Sequence, residues 1–107
     1  MTRTEHFAKL QAGDLSPRIV LHDNRAPSDW RYVAWTPTWE GPARFDYPAA
    51  AADLADRLRL AALEADVISA ANKCMKGSLA EKRAAKQAYT AAFKTMAAFK
   101  VSLGMTP

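Results

Sequence analysis

The sequence has few of the residues that build a large hydrophobic core. Leu, Ile, Val and Phe together number 19 of 107 residues, whereas alanine alone supplies 23 of the 53 hydrophobic residues. Alanine buries little apolar area, and burial contributes only about 25 cal/mol per Å². We therefore predict a thin core of closely packed helices, reinforced by a partner or a second copy. The length also excludes a two-domain enzyme with a separate cofactor module.

Cysteine and long apolar segments are almost absent. A single cysteine, Cys74, cannot form an internal disulfide, so the fold does not depend on an oxidising compartment. The longest apolar run, residues 48–52, is far shorter than the roughly 20 residues that span a bilayer. The first residues are polar, with no apolar run behind them, which argues against a signal peptide. We predict a soluble, cytoplasmic protein, and the abundance of Ala and Arg is typical of a GC-rich bacterial or phage genome.

Acidic residues are nearly missing from the last forty positions. Residues 1–66 carry 8 basic and 10 acidic side chains, whereas residues 67–107 carry 7 basic side chains and Glu81 as the sole acid. All three tryptophans lie between residues 30 and 39, and five of the six prolines precede residue 49. This shift in composition predicts strands and loops in the first part of the chain and helices in the second.

The pattern predicts an α+β fold in a single domain over residues 1–107. Residues 1–47 form a short helix at 5–11, capped by Thr4, and strands at 18–22, 30–36 and 43–46. Residues 23–29 and 37–42 are rich in turn formers and are predicted to be loops. Connections this short favour a small antiparallel sheet of two or three strands.

A long Ala-rich helical hairpin is predicted for residues 48–103. Pro48 begins the first helix, Gly77 ends it just past residue 75, and Ser78 to Glu81 form a capping box that begins the second. So tight a turn folds the helices back as an αα-hairpin. The second helix is expected to face the first through Ala85, Ala88, Ala92, Met96, Phe99 and Leu103.

Two apolar stripes lie on nearly opposite sides of the first hairpin helix. A helix that is apolar on two sides is predicted to pack between two surfaces, here the sheet and the second helix. The first stripe consists of Leu54, Leu58, Ala61, Ala65, Ile68, Asn72 and Met75. The second consists of Leu60, Leu63, Val67, Ala70 and Cys74.

A dense aromatic segment is the first candidate binding site. It comprises Trp30, Tyr32, Trp35, Trp39 and the nearby Arg44. Trp, Tyr and Arg dominate binding hot spots in protein interfaces. Tyr32 and Trp35 point to opposite faces of a strand, so at least one tryptophan stays exposed or half covered. We predict Trp39 as the exposed anchor; the alternative is that the rings fill the core.

A basic surface on the second hairpin helix is the second candidate binding site. Lysines at helical spacing surround Phe93, and such a surface can neutralise phosphates while the ring stacks on a base. The alternatives are a solvated basic helix and a surface for an acidic protein. The residues predicted to contact nucleic acid are Lys82, Arg83, Lys86, Tyr89, Phe93, Lys94 and Lys100.

Catalysis and metal binding have little support in the sequence. His22 followed by Asp23 resembles a general base with its orienting carboxylate, but neighbouring strand residues point to opposite faces. His6, His22 and Cys74 show no metal-ligand spacing. We therefore predict no enzyme activity, no catalytic residues, no metal and no cofactor.

These observations predict a small non-enzymatic binding protein. It docks on a protein or a protein–nucleic-acid assembly, with direct nucleic-acid binding by the basic helix as the alternative. Phages and mobile elements use small chains of this kind to modulate or inhibit host complexes, including defence complexes. A homodimer through the helical hairpin is compatible with either function, and no membrane partner is expected.

Overall fold

A helix and three short strands precede two long helices. The computed structural model describes residues 1–23 and 26–105, so part of the predicted loop at 23–29 lies outside the described residues. The elements in chain order are α1 (Arg3–Gln11), β1 (Arg18–His22), a 3-10 turn (Pro27–Asp29), β2 (Arg31–Thr36), β3 (Trp39–Glu40), α2 (Tyr47–Lys73) and α3 (Leu79–Ser102). This order confirms the predicted α+β class with a helical hairpin.

The chain divides into two compact units, Met1–Ala55 and Asp56–Pro107. The first unit contains α1, the sheet and the beginning of α2. The second contains the rest of α2 and the whole of α3. The single domain predicted for residues 1–107 stays a prediction.

The sheet is antiparallel and has the strand order β1-β2-β3. Val20 pairs with Val33, and Arg18 pairs with Trp35. Because side chains alternate along a strand, these four residues share one face of the sheet, and Ile19 lies on the other. The sheet's buried hydrophobic residues are Ile19, Val20, Val33 and Ala34.

The third strand lies earlier in the chain than predicted. It occupies Trp39–Glu40, inside the predicted loop, and pairs with the end of β2 through a two-residue turn. The Thr36 hydroxyl stabilises this turn by accepting from the Thr38 N–H and donating to the Trp39 carbonyl. The predicted strand at 43–46 is reduced to one isolated bridge between Arg44 and Tyr32.

Side-chain caps set the beginnings of all three helices. Thr2, and not the predicted Thr4, caps α1 by accepting from the Glu5 N–H. The Asp46 carboxylate accepts from the Ala49 N–H in the first turn of α2. The predicted capping box is found before α3, where Ser78 accepts from the Glu81 N–H, although the Glu81 carboxylate accepts from the Ser78 hydroxyl. Each cap satisfies a backbone donor that has no partner inside its helix.

Only one of the two apolar stripes of α2 is covered. Leu60 is fully buried, and the other four members of the predicted second stripe are half-buried. In the first stripe, by contrast, Leu58, Ile68 and Met75 are exposed, together with Ala61 and Ala65. Packing of this helix between the sheet and the second helix stays a prediction. The homodimer predicted through the hairpin would use this exposed stripe, and it stays a prediction.

The covered side of α3 agrees closely with the predicted face. Met96 is buried, and Ala85, Ala92, Phe99 and Leu103 are half-buried. The one exception is Ala88, which is exposed, while the neighbouring Tyr89 is half-buried instead. A contact between the two helices is seen where the Arg59 guanidinium lies 5.6 Å from the centroid of the Phe99 ring.

Candidate binding surfaces

The predicted aromatic cluster separates into packed and exposed members. Trp35 is half-buried and contacts α1, since its ring meets the ring of His6 edge-on with centroids 4.8 Å apart. The Arg18 guanidinium covers the same indole at 4.8 Å from its centroid. These contacts give Trp35 a structural role in the first unit.

Trp39, predicted to be the exposed anchor, is half-buried instead. Its ring atom Cη2 lies 2.8 Å from the position that a Cβ on Gly41 would occupy, so any larger residue at position 41 would displace the ring. The Gly41 N–H donates to the Ala34 carbonyl, which holds the chain in this position. The tight turn before β3 places the Trp39 ring against the backbone, so Trp39 is not the exposed anchor.

Trp30 and Tyr32 lie at the other end of β2. Trp30 precedes the strand and is 38% exposed, which confirms that at least one tryptophan is not fully covered. Tyr32 is half-buried, and its ring meets Tyr47 edge-on at 5.8 Å. The backbone of Tyr32 exchanges two hydrogen bonds with Arg44, of 2.7 and 2.8 Å, which fixes the chain just before α2.

Arg44 is anchored by a carboxylate. Its Nε and Nη2 atoms donate to the two oxygens of Asp53, at 2.7 and 2.9 Å. Hydrogen bonding and charge attraction from Asp53 raise the pKa of the Arg44 guanidinium. This ion pair connects the segment before α2 to the first turns of α2, and the predicted contact of Arg44 with a partner stays a prediction.

Phe45 is the prominent exposed residue that the sequence prediction missed. Its side chain is 77% exposed, and the Arg31 guanidinium stacks on the ring at 3.7 Å from the centroid. Arg31 is held there by donating to the carbonyl oxygens of Ser28 and Trp30. We name Trp30, Arg31, Phe45 and Tyr47 the aromatic–arginine patch. The sequence Asp46-Tyr47-Pro48, which starts α2, could have revealed the exposure of Phe45. A helix that starts there leaves no room for a strand at 43–46 and places Phe45 in a surface turn.

The second surface is the basic face of α3, formed by Lys82, Arg83, Lys86, Lys94 and Lys100. The first four are exposed and Lys100 is half-buried. Within residues 1–23 and 26–105, none of the five forms an ion pair. Phe93 is 45% exposed, and its ring lies nearly parallel to that of Tyr89, with centroids 6.2 Å apart. A shallow depression on this helix is lined by Arg83, Lys86, Gln87, Thr90, Ala91 and Lys94.

A cleft of about 320 Å³ lies between α1 and one face of the sheet. It brings together both histidines of the chain, His6 and His22, with Glu40, whose sequence positions gave no sign of proximity. Burial, and next the charge of Arg18, lower the pKa of His6. In the described part of the chain, no three His, Cys, Asp or Glu side chains are grouped so that they could hold a metal ion.

Comparisons with known proteins identify no relative of this chain. No family model, no curated protein and no solved structure matches this chain. Among the described residues, no helix is both long enough and apolar enough to cross a membrane.

Proposed function

We propose that this chain is a non-enzymatic binding protein that docks on a protein partner through the aromatic–arginine patch. The exposure of Phe45 beneath the Arg31 guanidinium carries this proposal. Burying a Phe side chain is worth about 1.5–3 kcal/mol, and Trp, Tyr and Arg are the residues most enriched in hot spots. Arg31 and Phe45 are in direct contact, and Trp30 and Tyr47 lie within two positions of them along the chain in the same unit.

The chemistry of the patch defines the partner surface that it fits. Arg31 forms no ion pair with a residue of the described ranges, so its charge is available to a partner. Its hydrogen bonds to backbone carbonyls and its stacking on Phe45 fix its position in advance, which reduces the entropy lost on binding. The complementary surface is an apolar pocket beside a carboxylate. By occupying such a pocket on a bacterial complex, a chain of this size acts as an inhibitor or modulator.

The patch is tested by replacing its most exposed ring. Phe45→Ala is expected to weaken binding to the protein partner about 30-fold, since a hot-spot side chain contributes about 2 kcal/mol or more. The partner is first captured with the tagged chain, then purified and titrated by calorimetry. Phe93→Ala, which removes a phenylalanine that is 45% exposed on α3, is the matched control and should bind normally. Unchanged affinity in a Trp30→Ala/Phe45→Ala double variant would exclude the patch as the docking surface.

Nucleic-acid binding by the basic face of α3 is the second candidate function. It is favoured by five cations without carboxylate partners in the described chain, next to the exposed ring of Phe93. Neutralising about five phosphates makes affinity for duplex DNA fall roughly 500-fold when salt rises from about 50 to about 200 mM. Stacking of a base of single-stranded DNA or RNA on an exposed phenylalanine adds about 1–3 kcal/mol.

The basic face is tested by reversing two of its charges. Lys82→Glu/Lys86→Glu is expected to weaken binding to labelled DNA or RNA at least tenfold at about 50 mM salt, because phosphate contacts dominate affinity. Fluorescence anisotropy with duplex DNA, single-stranded DNA and RNA measures it. Lys73→Glu/Lys76→Glu makes the same change in net charge and should bind better than the first variant. Equal losses would mean that only net charge matters, and salt-independent binding would exclude a phosphate-contacting surface.

A further inference from the structure

A backbone bridge between Thr2 and Leu21 connects the start of α1 to the sheet, and one buried side chain, that of His6, connects the helix itself. His6 is 7% exposed and is the only residue of α1 that is buried. Phe7, the adjacent aromatic residue, is 49% exposed, and Leu10 is half-buried. The contacts of His6 with Trp35 and Arg18 therefore form the centre of the contact between α1 and the sheet.

Arg18 presents a fixed positive charge to His6. Its side chain is 7% exposed, and it donates to the carbonyl oxygens of Asp14 and Ser16 at 2.6 and 2.9 Å. The Asp14 carboxylate lies 3.4 Å away. Hydrogen bonds from Ser16 are the main cause that lowers the pKa of Asp14 to about 2, so this carboxylate stays ionised throughout the range in which histidine titrates. The guanidinium is thus held in place at mildly acidic pH.

The contact between the two side chains requires a neutral imidazole. Arg18 Nη1 lies 3.4 Å from His6 Nδ1, and a guanidinium can only donate hydrogen bonds. The Nδ1 atom must therefore accept, which assigns the proton of the neutral ring to Nε2. Protonation converts Nδ1 into a second donor that faces a donor, and it places two positive charges together in a buried position.

The other charged groups around the ring do not reverse this effect. His22 and Arg3 line the same cleft and are basic, whereas Glu40 is the one acid that lines it. Glu40 raises the pKa of His6, but this effect is smaller than that of burial and that of Arg18, and the net result is a lowered pKa. Neutral His6 is consequently the form that the docked helix favours.

We propose that protonation of His6 releases α1 from the sheet and uncovers the sheet face that carries Val20, Val33 and Trp35. A helix of 9 residues does not persist alone in water, so release unfolds it. Because the pKa of His6 is lower in the folded state, the unfolded helix binds more protons between that pKa and 6.5. Docking is therefore complete above pH 6.5 and weakens as the pH falls below that value.

Amide hydrogen exchange of the whole chain between pH 7.5 and 5 tests the release. After correction for intrinsic rates, protection of the α1 amides is expected to fall by up to tenfold per pH unit below 6.5, while the β1 and β2 amides stay protected. His6 and His22 are the only histidines, so two variants separate them. His22→Asn should respond like the parent chain. His6→Asn, whose Oδ1 replaces the Nδ1 acceptor without titrating, should show no pH dependence.

A second measurement is needed if the α1 amides of His6→Asn are unprotected at every pH. The His6 Cε1–H resonance of the parent chain then gives the protonation midpoint directly by NMR. We expect a midpoint below 6.5, with the loss of α1 protection confined to the pH range between that midpoint and 6.5. A flat exchange profile, a response of His6→Asn equal to that of the parent chain, or loss of protection outside the range between the His6 midpoint and 6.5 would each overturn the proposal.

Discussion

Replacing Leu60 by alanine is expected to lower the free energy of unfolding by about 3 kcal/mol. Leu60 is 1% exposed and is the largest fully buried side chain in the described part of the chain. When a buried leucine is truncated to alanine, the surrounding side chains relax only partly into the space that it leaves. The cavity therefore remains, and its cost adds to the lost burial of Leu60.

Urea denaturation followed by far-UV circular dichroism measures this loss. Leu58→Ala is the matched control, because it makes the same chemical change two positions away on the same helix. Leu58 is 44% exposed, so its replacement should cost less than about 1 kcal/mol. If both variants lose the same stability, the covered stripe of α2 does not contain Leu60.

The second large effect is expected at Trp35. Trp35→Ala should lower the free energy of unfolding by about 3 kcal/mol, the lower end of the range for deleting a packed tryptophan. The indole contacts His6 from α1 and carries the Arg18 guanidinium over its face, so its removal deprives both buried groups of a partner. We expect the α1 amides to lose protection from exchange even at pH 7.5, where His6 is neutral.

Trp30→Ala serves as the control for Trp35→Ala. Both replacements delete an indole from the same segment, but Trp30 lies outside β2 and is 38% exposed. Its replacement should cost less than about 1 kcal/mol and leave α1 protected. Denaturation curves and exchange rates for the two variants therefore distinguish packing tryptophans from surface tryptophans. A larger loss for Trp30→Ala would reverse these assignments.

Local signals in the sequence predicted several elements well. Strand β1 spans the predicted residues 18–22, because a β-branched run between turn formers determines its own conformation. The Gly77-Ser78 boundary also lies where it was predicted, since Gly77 adopts a φ of +90° and Ser78 caps α3. These features depend on residues within a few positions of each other, which a sequence displays directly.

The prediction of β3 failed for a physical reason. Residues 37–42 contain two prolines and a glycine, which favour a loop when they are considered alone. In the structure a two-residue turn after Thr36 lets Trp39 and Glu40 pair with the end of β2. Pairing with β2 therefore outweighed the local preference of residues 37–42 for a turn. The strand predicted at 43–46 did not form because Asp46 caps α2, which begins at Tyr47.

The sequence by itself determined the α+β order, the Ser78 cap of α3, the basic character of α3 and the presence of apolar stripes on α2. Each follows from composition, from spacing along one element, or from a bond to a residue a few positions away. The tertiary structure alone decided that one stripe of α2 is covered and the other exposed, because periodicity marks an apolar face without showing what covers it. It also decided that Trp35 packs on α1 while Phe45 lies exposed beneath Arg31. The contact between His6 and Arg18 depends on the packing of α1 against the sheet, and the spacing of the two residues along the chain does not predict it.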